Sequence, residues 1–206
     1  MYLPAAFRCE VPETIHELIR SNPFAVLVST SDTGLEATHL PLLLDTETGV
    51  HGTLRGHVAR ANGQWERMLG QEALAVFSGP HAYISPAWYA SQPSVPTWNY
   101  AVAHAYGHPR MVEETSLVLR YLEKLTAMFE GAGATAWSVS SAPEGFIEKL
   151  SYSIVAFEIP IARLEAKFKL GQNRSRVDRE GAIAGLQTTG SSTDVALGEL
   201  MRNWIE

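Results

Sequence analysis

Residues Phe24 to Thr30 read FAVLVST, a run of strand length in which neither alternating face is polar. Side chains of a strand alternate between two faces, so this segment carries apolar surface on both and cannot lie on a sheet wetted on one side. It fits the wall of a barrel, one face inward and the other against a helix or a partner. Similar runs follow at Leu35 to Leu44 (LEATHLPLLL), Val50 to Val58 and Glu72 to Ser78. The turn signals Asp32-Thr33-Gly34 and Thr46-Glu47-Thr48-Gly49 separate the first three. Four strands in sequence predict a meander whose edges are closed or covered, hence a mainly β chain of the α+β class.

Helices lie at its periphery. Pro12 to Arg20 opens with a proline at its first turn, and Ala59 to Leu69 is expected to form a second helix. The longest, near Glu113 to Glu130, carries Val118, Tyr121, Leu122, Leu125, Met128 and Phe129 at three- and four-residue spacing, a stripe for core or interface. Beyond it are expected a short helix at Glu144 to Leu150 and two strands, Ile154 to Ile159 and Leu164 to Leu170. Two further helices close the chain, Arg176 to Leu186 and Thr193 to Trp204. Residues 130–137 and 187–192 read as loops.

The chain has 206 residues and one cysteine, Cys9, so no internal disulfide forms. It shows neither a charged-then-apolar leader nor an apolar run of membrane-spanning length, and the expected location is the cytoplasm, away from membranes. Lys and Arg number 16 against 22 Asp and Glu, a formal charge of −6. That balance opposes the basic footprint of most nucleic-acid-binding domains and leaves any DNA contact to a local patch. The one basic cluster, Arg163, Lys167, Lys169, Arg174, Arg176 and Arg179, is interleaved with Glu165 and Asp178 and reads as a solvated face.

Chemistry concentrates in four segments. Gly56-His57-Val58-Ala59-Arg60-Ala61-Asn62 spans the end of a strand and the start of a helix, where unpaired N–H groups and a guanidinium suit an anion. Spacing alone leaves a second reading open, with Arg60 a solvated helix residue and His57 a satisfied strand-end histidine. Ala37-Thr38-His39-Leu40-Pro41 places polar groups and a donor-lacking proline in an apolar strand, which marks either the rim of a flat heteroaromatic ligand or a plain edge strand. Val76 to Tyr89 and Val95 to Tyr100 are rich in aromatic residues with polar tips, as in a ligand pocket, a subunit interface or a loop packed on its own core.

Five motifs, in order, carry a resemblance. HLPLLLD (His39 to Asp45), GHVARAN (Gly56 to Asn62), GPHAYISPAWY (Gly79 to Tyr89), VPTWNYAVAHAYG (Val95 to Gly107) and KFKLGQN (Lys167 to Asn173) resemble the successive motifs of the PaiB-type FMN-binding transcriptional regulators. Departures from that pattern are Ala87, Gly171 and Gly63, none of them a charged ligand. The resemblance implies an FMN-binding split β-barrel over residues 1–170, with a helical extension over 171–206 packed on it, and FMN bound between the subunits of a homodimer. His57, Val58, Ala59 and Arg60 would then hold the phosphate, and Thr38, His39, Leu40 and Pro41 would line the isoalloxazine. Trp88, Trp98, Asn99 and Tyr100 would come from the partner subunit or the dimer seam.

The function that follows is a flavin-sensitive negative regulator of transcription, preferred to an enzyme because no acid/base pair has persuasive spacing. An FMN-dependent oxidoreductase or flavin reductase is the alternative, since a bound flavin would perform the hydride step. A haem or metal protein ranks last: His51, His57, His81, His104 and His108 lack a tight ligand spacing, and no metal ligand is assigned.

Overall fold

The computed structural model describes residues 1–32, 34–131 and 136–204. The Asp32-Thr33-Gly34 turn and the 130–137 loop therefore lie partly outside the described residues. In chain order the strands and helices are β1 (Arg8–Cys9), α1 (Pro12–Ser21), β2 (Phe24–Ser31), β3 (Gly34–Pro41), β4 (Leu43–Asp45), β5 (Thr53–Ala59), α2 (Gln64–Arg67) and β6 (Ala73–Ile84). They continue with β7 (Thr97–Gly107), β8 (Arg110–Val112), α3 (Thr115–Glu130), α4 (Phe146–Ser151), β9 (Ile154–Lys169), α5 (Arg176–Thr188) and α6 (Ser192–Asn203). The hydrogen-bonded strand order is β3-β2-β6-β7-β9-β5-β4, with β1 and β8 also paired to β9. No helix among the described residues is long and apolar enough to cross a membrane.

Two compact units are formed. One comprises Pro23–Val76 and Ala105–Leu164, the other Met1–Asn22, Phe77–His104 and the chain from Glu165 onward.

In the first unit, β2 behaves as its composition requires: Ala25, Leu27 and Ser29 are buried while Val26 and Val28 are half-buried on the other face. β3 pairs with it in full antiparallel register, from Phe24 opposite Pro41 to Ser31 opposite Gly34. The expected strand Leu35 to Leu44 is split in two at Leu42. Pro41 has no N–H to continue the ladder, Leu42 donates its own to the Pro23 carbonyl at 2.9 Å, and Leu43 re-pairs with Arg55 of β5. The turn brings Leu42 down onto Gly56, where a Cβ would stand 2.5 Å from Leu42 Cδ2, so any larger residue would make the leucine side chain move.

β9 is one strand where two were expected. Its Pro160 falls opposite Thr53, at the end of the β5 ladder, and Ile161 resumes pairing by donating to the Gly52 carbonyl at 3.0 Å. α2 is far shorter than the expected Ala59 to Leu69: past the end of β5 the Arg60 N–H donates to the distant Ser153 carbonyl at 2.8 Å, and the chain turns there, Asn62 N–H donating to the Ala59 carbonyl at 2.8 Å, before the helix begins at Gln64. α3 has Tyr121 beneath the Arg55 guanidinium, 5.1 Å from its ring centroid, and Arg55 in turn pairs with Asp45. Val118 of the α3 stripe is buried and Tyr121, Leu122 and Leu125 are half-buried, but Met128 and Phe129 are exposed.

In the second unit, α1 buries Ile15, Leu18 and Ile19 and keeps Glu13 in its first turn and Arg20 in its last, each favourable to the helix dipole. Its core continues through Phe77, Ile84, Phe168, Leu170 and Leu186. α5 and α6 pack on one another, each capped by a serine: Ser175 Oγ accepts from the Asp178 N–H at 3.1 Å, and Ser191 Oγ from the Asp194 N–H at 3.4 Å.

Candidate flavin site and its relatives

The end of β5 and the chain after it form a polar junction. The hub is Gln64, only 3% exposed, whose amide donates to Ser29 Oγ at 2.9 Å and to the Leu27 carbonyl at 3.2 Å. Its carbonyl oxygen accepts from Thr38 Oγ1, and its backbone N–H is capped by Asn62 Oδ1 at 3.1 Å. Asn62 also donates to Thr38 Oγ1 at 2.8 Å. A buried polar side chain has to be satisfied in this way, and the network ties β3 to the junction. The two segments that carry the implied phosphate and ring sites are thereby brought together.

Within that frame the sequence-derived residues divide. Arg60 is exposed, with Nε donating to the Tyr152 carbonyl at 2.7 Å and Nη2 to the Ile154 carbonyl at 2.9 Å. Two of five N–H groups are so used, and the Nη1 edge keeps its donors. Ala59 is exposed beside it, whereas Val58 is core and can contribute main chain alone. His57 is half-buried and lines an open pocket of about 200 Å³ with Leu122 of α3, Leu150 of α4 and Ile154 of β9. Burial pushes its imidazole below the ordinary histidine range.

On β3, Thr38 and Leu40 face inward, and the Thr38 hydroxyl is taken up by Asn62 and Gln64. His39 is on the other face, exposed, with its ring 6.2 Å from that of Phe24. Since β3 ends the strand order, its outer edge presents main-chain donors and acceptors.

The aromatic segments are mostly strand: Val76–Ile84 belongs to β6 and Thr97–Tyr100 to β7, while Trp88 lies in a 3-10 turn, Pro86–Trp88, between them. β7 alternates buried Asn99, Ala101 and Ala103 with outward Trp98, Tyr100 and Val102. Trp98 is 53% exposed and Tyr100 half-buried. Asn99 instead points inward, 3.6 Å from Met201 Sδ on α6. Trp88 is seated on α5, where Cβ atoms on Gly181 and Gly185 would come within 2.1 Å of its carbonyl oxygen and 2.2 Å of its indole. Those two glycines were not singled out from the sequence, and Asn62 entered only as the last residue of the GHVARAN motif, with no role given to it or to Gln64. Two glycines four apart in an amphipathic helix are the signal that marks such a notch. In the basic cluster Arg163 and Arg176 are exposed and Lys169, Arg174 and Arg179 half-buried, but Lys167 on β9 departs from a solvated face at 9% exposure.

A family model described as "Putative FMN-binding domain" matches residues 1–163. The chain belongs to this FMN-binding family. Its five motifs fall on β3–β4, the β5 junction, the second half of β6, β7 and the end of β9. Among relatives, the protease synthase and sporulation protein PAI 2 of Bacillus subtilis is 35% identical over 209 residues, covering 98% of this chain and 97% of that protein. An uncharacterised protein of Emericella nidulans is 33% identical over 242 residues, covering 98% and 96%.

The flavocytochrome Anf3 of Azotobacter vinelandii matches in structure with a TM-score of 0.64 at 11% identity, over 80% of this chain and 70% of that one. The FAD and heme binding protein of Mycobacterium smegmatis matches with a TM-score of 0.61 at 16% identity, over 80% and 74%. This member of the FMN-binding family thus has the split-barrel fold that its motifs implied, a mostly antiparallel sheet with peripheral helices and the C-terminal pair α5 and α6.

Proposed function

We propose that this chain binds FMN at the β5 junction as a homodimer and acts as a flavin-sensitive negative regulator of transcription. The observation that carries the reading is the Arg60 guanidinium, fixed by the Tyr152 and Ile154 carbonyls so that its remaining edge faces outward. A planar fork held in place loses little freedom when it takes up a phosphate. The residues fit the cofactor: Arg60 and the main chain of His57 to Ala59 would hold the phosphate, and the outer edge of β3 from Thr38 to Pro41 the ring. Thr38 serves by position, since its hydroxyl is already bonded. FMN, when bound, supplies one- or two-electron transfer, through which a regulator would sense redox state.

The dimer is supported by apolar surface that a monomer would leave in water, including Phe24 at 65% and Leu35 at 77% exposure on the β2–β3 hairpin. Titration of flavin-free protein with FMN, followed by the flavin absorbance band, tests the reading. Saturation at one FMN per chain is expected, and absence of binding at hundreds of micromolar would overturn it.

A further inference from the structure

Within the first unit, residues of α3, α4, β5 and the start of β9 line the open pocket of about 200 Å³ that holds the His57 ring. α3 supplies Leu122 and Thr126, α4 supplies Ile147 and Leu150, and β9 supplies Ile154. Trp137 joins them, and since both it and Leu150 are exposed, the apolar lining reaches solvent at the mouth. No Asp, Glu, Lys or Arg is among the described residues that line it.

One polar ring therefore stands in a mostly hydrocarbon wall. Among the described residues the His57 imidazole meets neither a hydrogen-bond partner nor a charged group: burial alone lowers its pKa, so at pH 7 it is neutral and presents one donor and one acceptor nitrogen. A half-buried polar group left in this state gains from a partner. Water filling the pocket touches chiefly methyl and methylene groups, and its release favours an apolar occupant. The lack of lining charge selects a neutral one, because an ion would lose its hydration without compensation. The space is smaller than that of a drug-sized site, which limits the occupant to one or two rings.

We propose that this pocket binds a neutral hydroxyaromatic molecule of one or two rings, its ring against Leu122, Leu150 and Ile154 and its hydroxyl hydrogen-bonded to the His57 imidazole. A flavin phosphate matches neither the size nor the uncharged lining of the pocket, and the flavin reading takes only main chain at His57. The two sites are separate, and the inference does not depend on that reading.

The test is calorimetric titration of the full chain, flavin-free and FMN-saturated, with 2-naphthol. Two controls keep its rings: 2-methylnaphthalene lacks the hydroxyl, and 2-naphthoate carries a charge. Naphthol is expected to bind with and without FMN, and about tenfold or more tightly than naphthoate. His57→Phe keeps an aromatic ring in the wall and removes the hydrogen bond, so it should shift the affinity ratio of naphthol to methylnaphthalene about tenfold toward the hydrocarbon. Thr126→Trp, which fills the pocket, should abolish the binding of both. Thermal melts verify that the variants fold. A readout on the wild-type chain stands beside them: the imidazole resonances of His57 in histidine-labelled protein should move on saturation with naphthol. The proposal is overturned if naphthol fails to bind, if it leaves the His57 resonances in place, or if saturating FMN displaces it. It is equally overturned if folded His57→Phe keeps the wild-type ratio or if folded Thr126→Trp binds naphthol as wild type does.

Discussion

Asn62 and Thr38, 24 residues apart, meet in a 2.8 Å hydrogen bond from the asparagine amide to the threonine hydroxyl, and Gln64 completes the arrangement from beneath. The bond joins the strand proposed to line the flavin ring to the turn proposed to hold its phosphate. Gln64→Ala would leave the Thr38 and Ser29 hydroxyls and the Leu27 carbonyl short of a buried partner. It is expected to cost about 2–4 kcal/mol, from one or two unsatisfied groups and a cavity. Urea unfolding measures it. A change below about 0.5 kcal/mol would show that the network adds nothing to stability.

Gly185→Ala in α5 should run against helix propensity. Alanine normally stabilises an exposed helix interior by about 1 kcal/mol relative to glycine. Here its Cβ would lie 2.2 Å from the Trp88 ring, and overpacking is expected to destabilise by about 1–3 kcal/mol. In a double-mutant cycle, Trp88→Ala should abolish the penalty. A penalty that persists without the indole would place its cause elsewhere.

His57 makes stability depend on pH. Its pKa in the folded state is lowered by burial from an ordinary value of 6.5, so the unfolded chain binds the proton more readily. The contribution is fully present above pH 6.5 and is lost as pH falls from there through the depressed folded pKa. Melting temperatures of wild type and His57→Gln between pH 8 and pH 5 are expected to diverge, wild type falling more steeply below about pH 6.5. Parallel curves would mean that the imidazole is hydrated in the folded protein.

These particulars show which features are legible in one dimension. FAVLVST announces a strand with apolar residues on both faces, and Pro12 announces a helix start, because period and proline chemistry are local. β7 was hidden by its aromatic content, although the small buried residues Asn99, Ala101, Ala103 and Ala105 alternate strictly within it. α2 could not be sized, because the chain before it is tied through the Arg60 N–H to Ser153, distant in sequence, and turns there. Lys167 reads as a surface charge until Ala166 and Phe168 are seen to be core and the lysine to lie against Tyr2 and Tyr100. At the β5 junction the motif pointed to the location, while the residues that organise it, Asn62 and Gln64, emerge from contacts with β2 and β3.

The proposed homodimer gives a mass test. Multi-angle light scattering at micromolar concentration is expected to report about twice the 22.6 kDa chain mass. A stable monomer would mean that Phe24 and Leu35 remain in water and that no second subunit contributes to a flavin site.

The most direct test of the central claim compares FMN and riboflavin on wild type and Arg60→Ala. Charge-assisted hydrogen bonds contribute roughly 1.5–3 kcal/mol, and tenfold in affinity is about 1.4 kcal/mol, so Arg60→Ala should weaken FMN by about one to two decades. Arg60→Lys should recover part of the loss, because an ammonium keeps the charge without the planar fork. Riboflavin lacks the phosphate and should bind both proteins with nearly equal affinity. An equal loss for FMN and riboflavin would contradict the account: Arg60 would then act through its hold on the Tyr152 and Ile154 carbonyls and not on a phosphate.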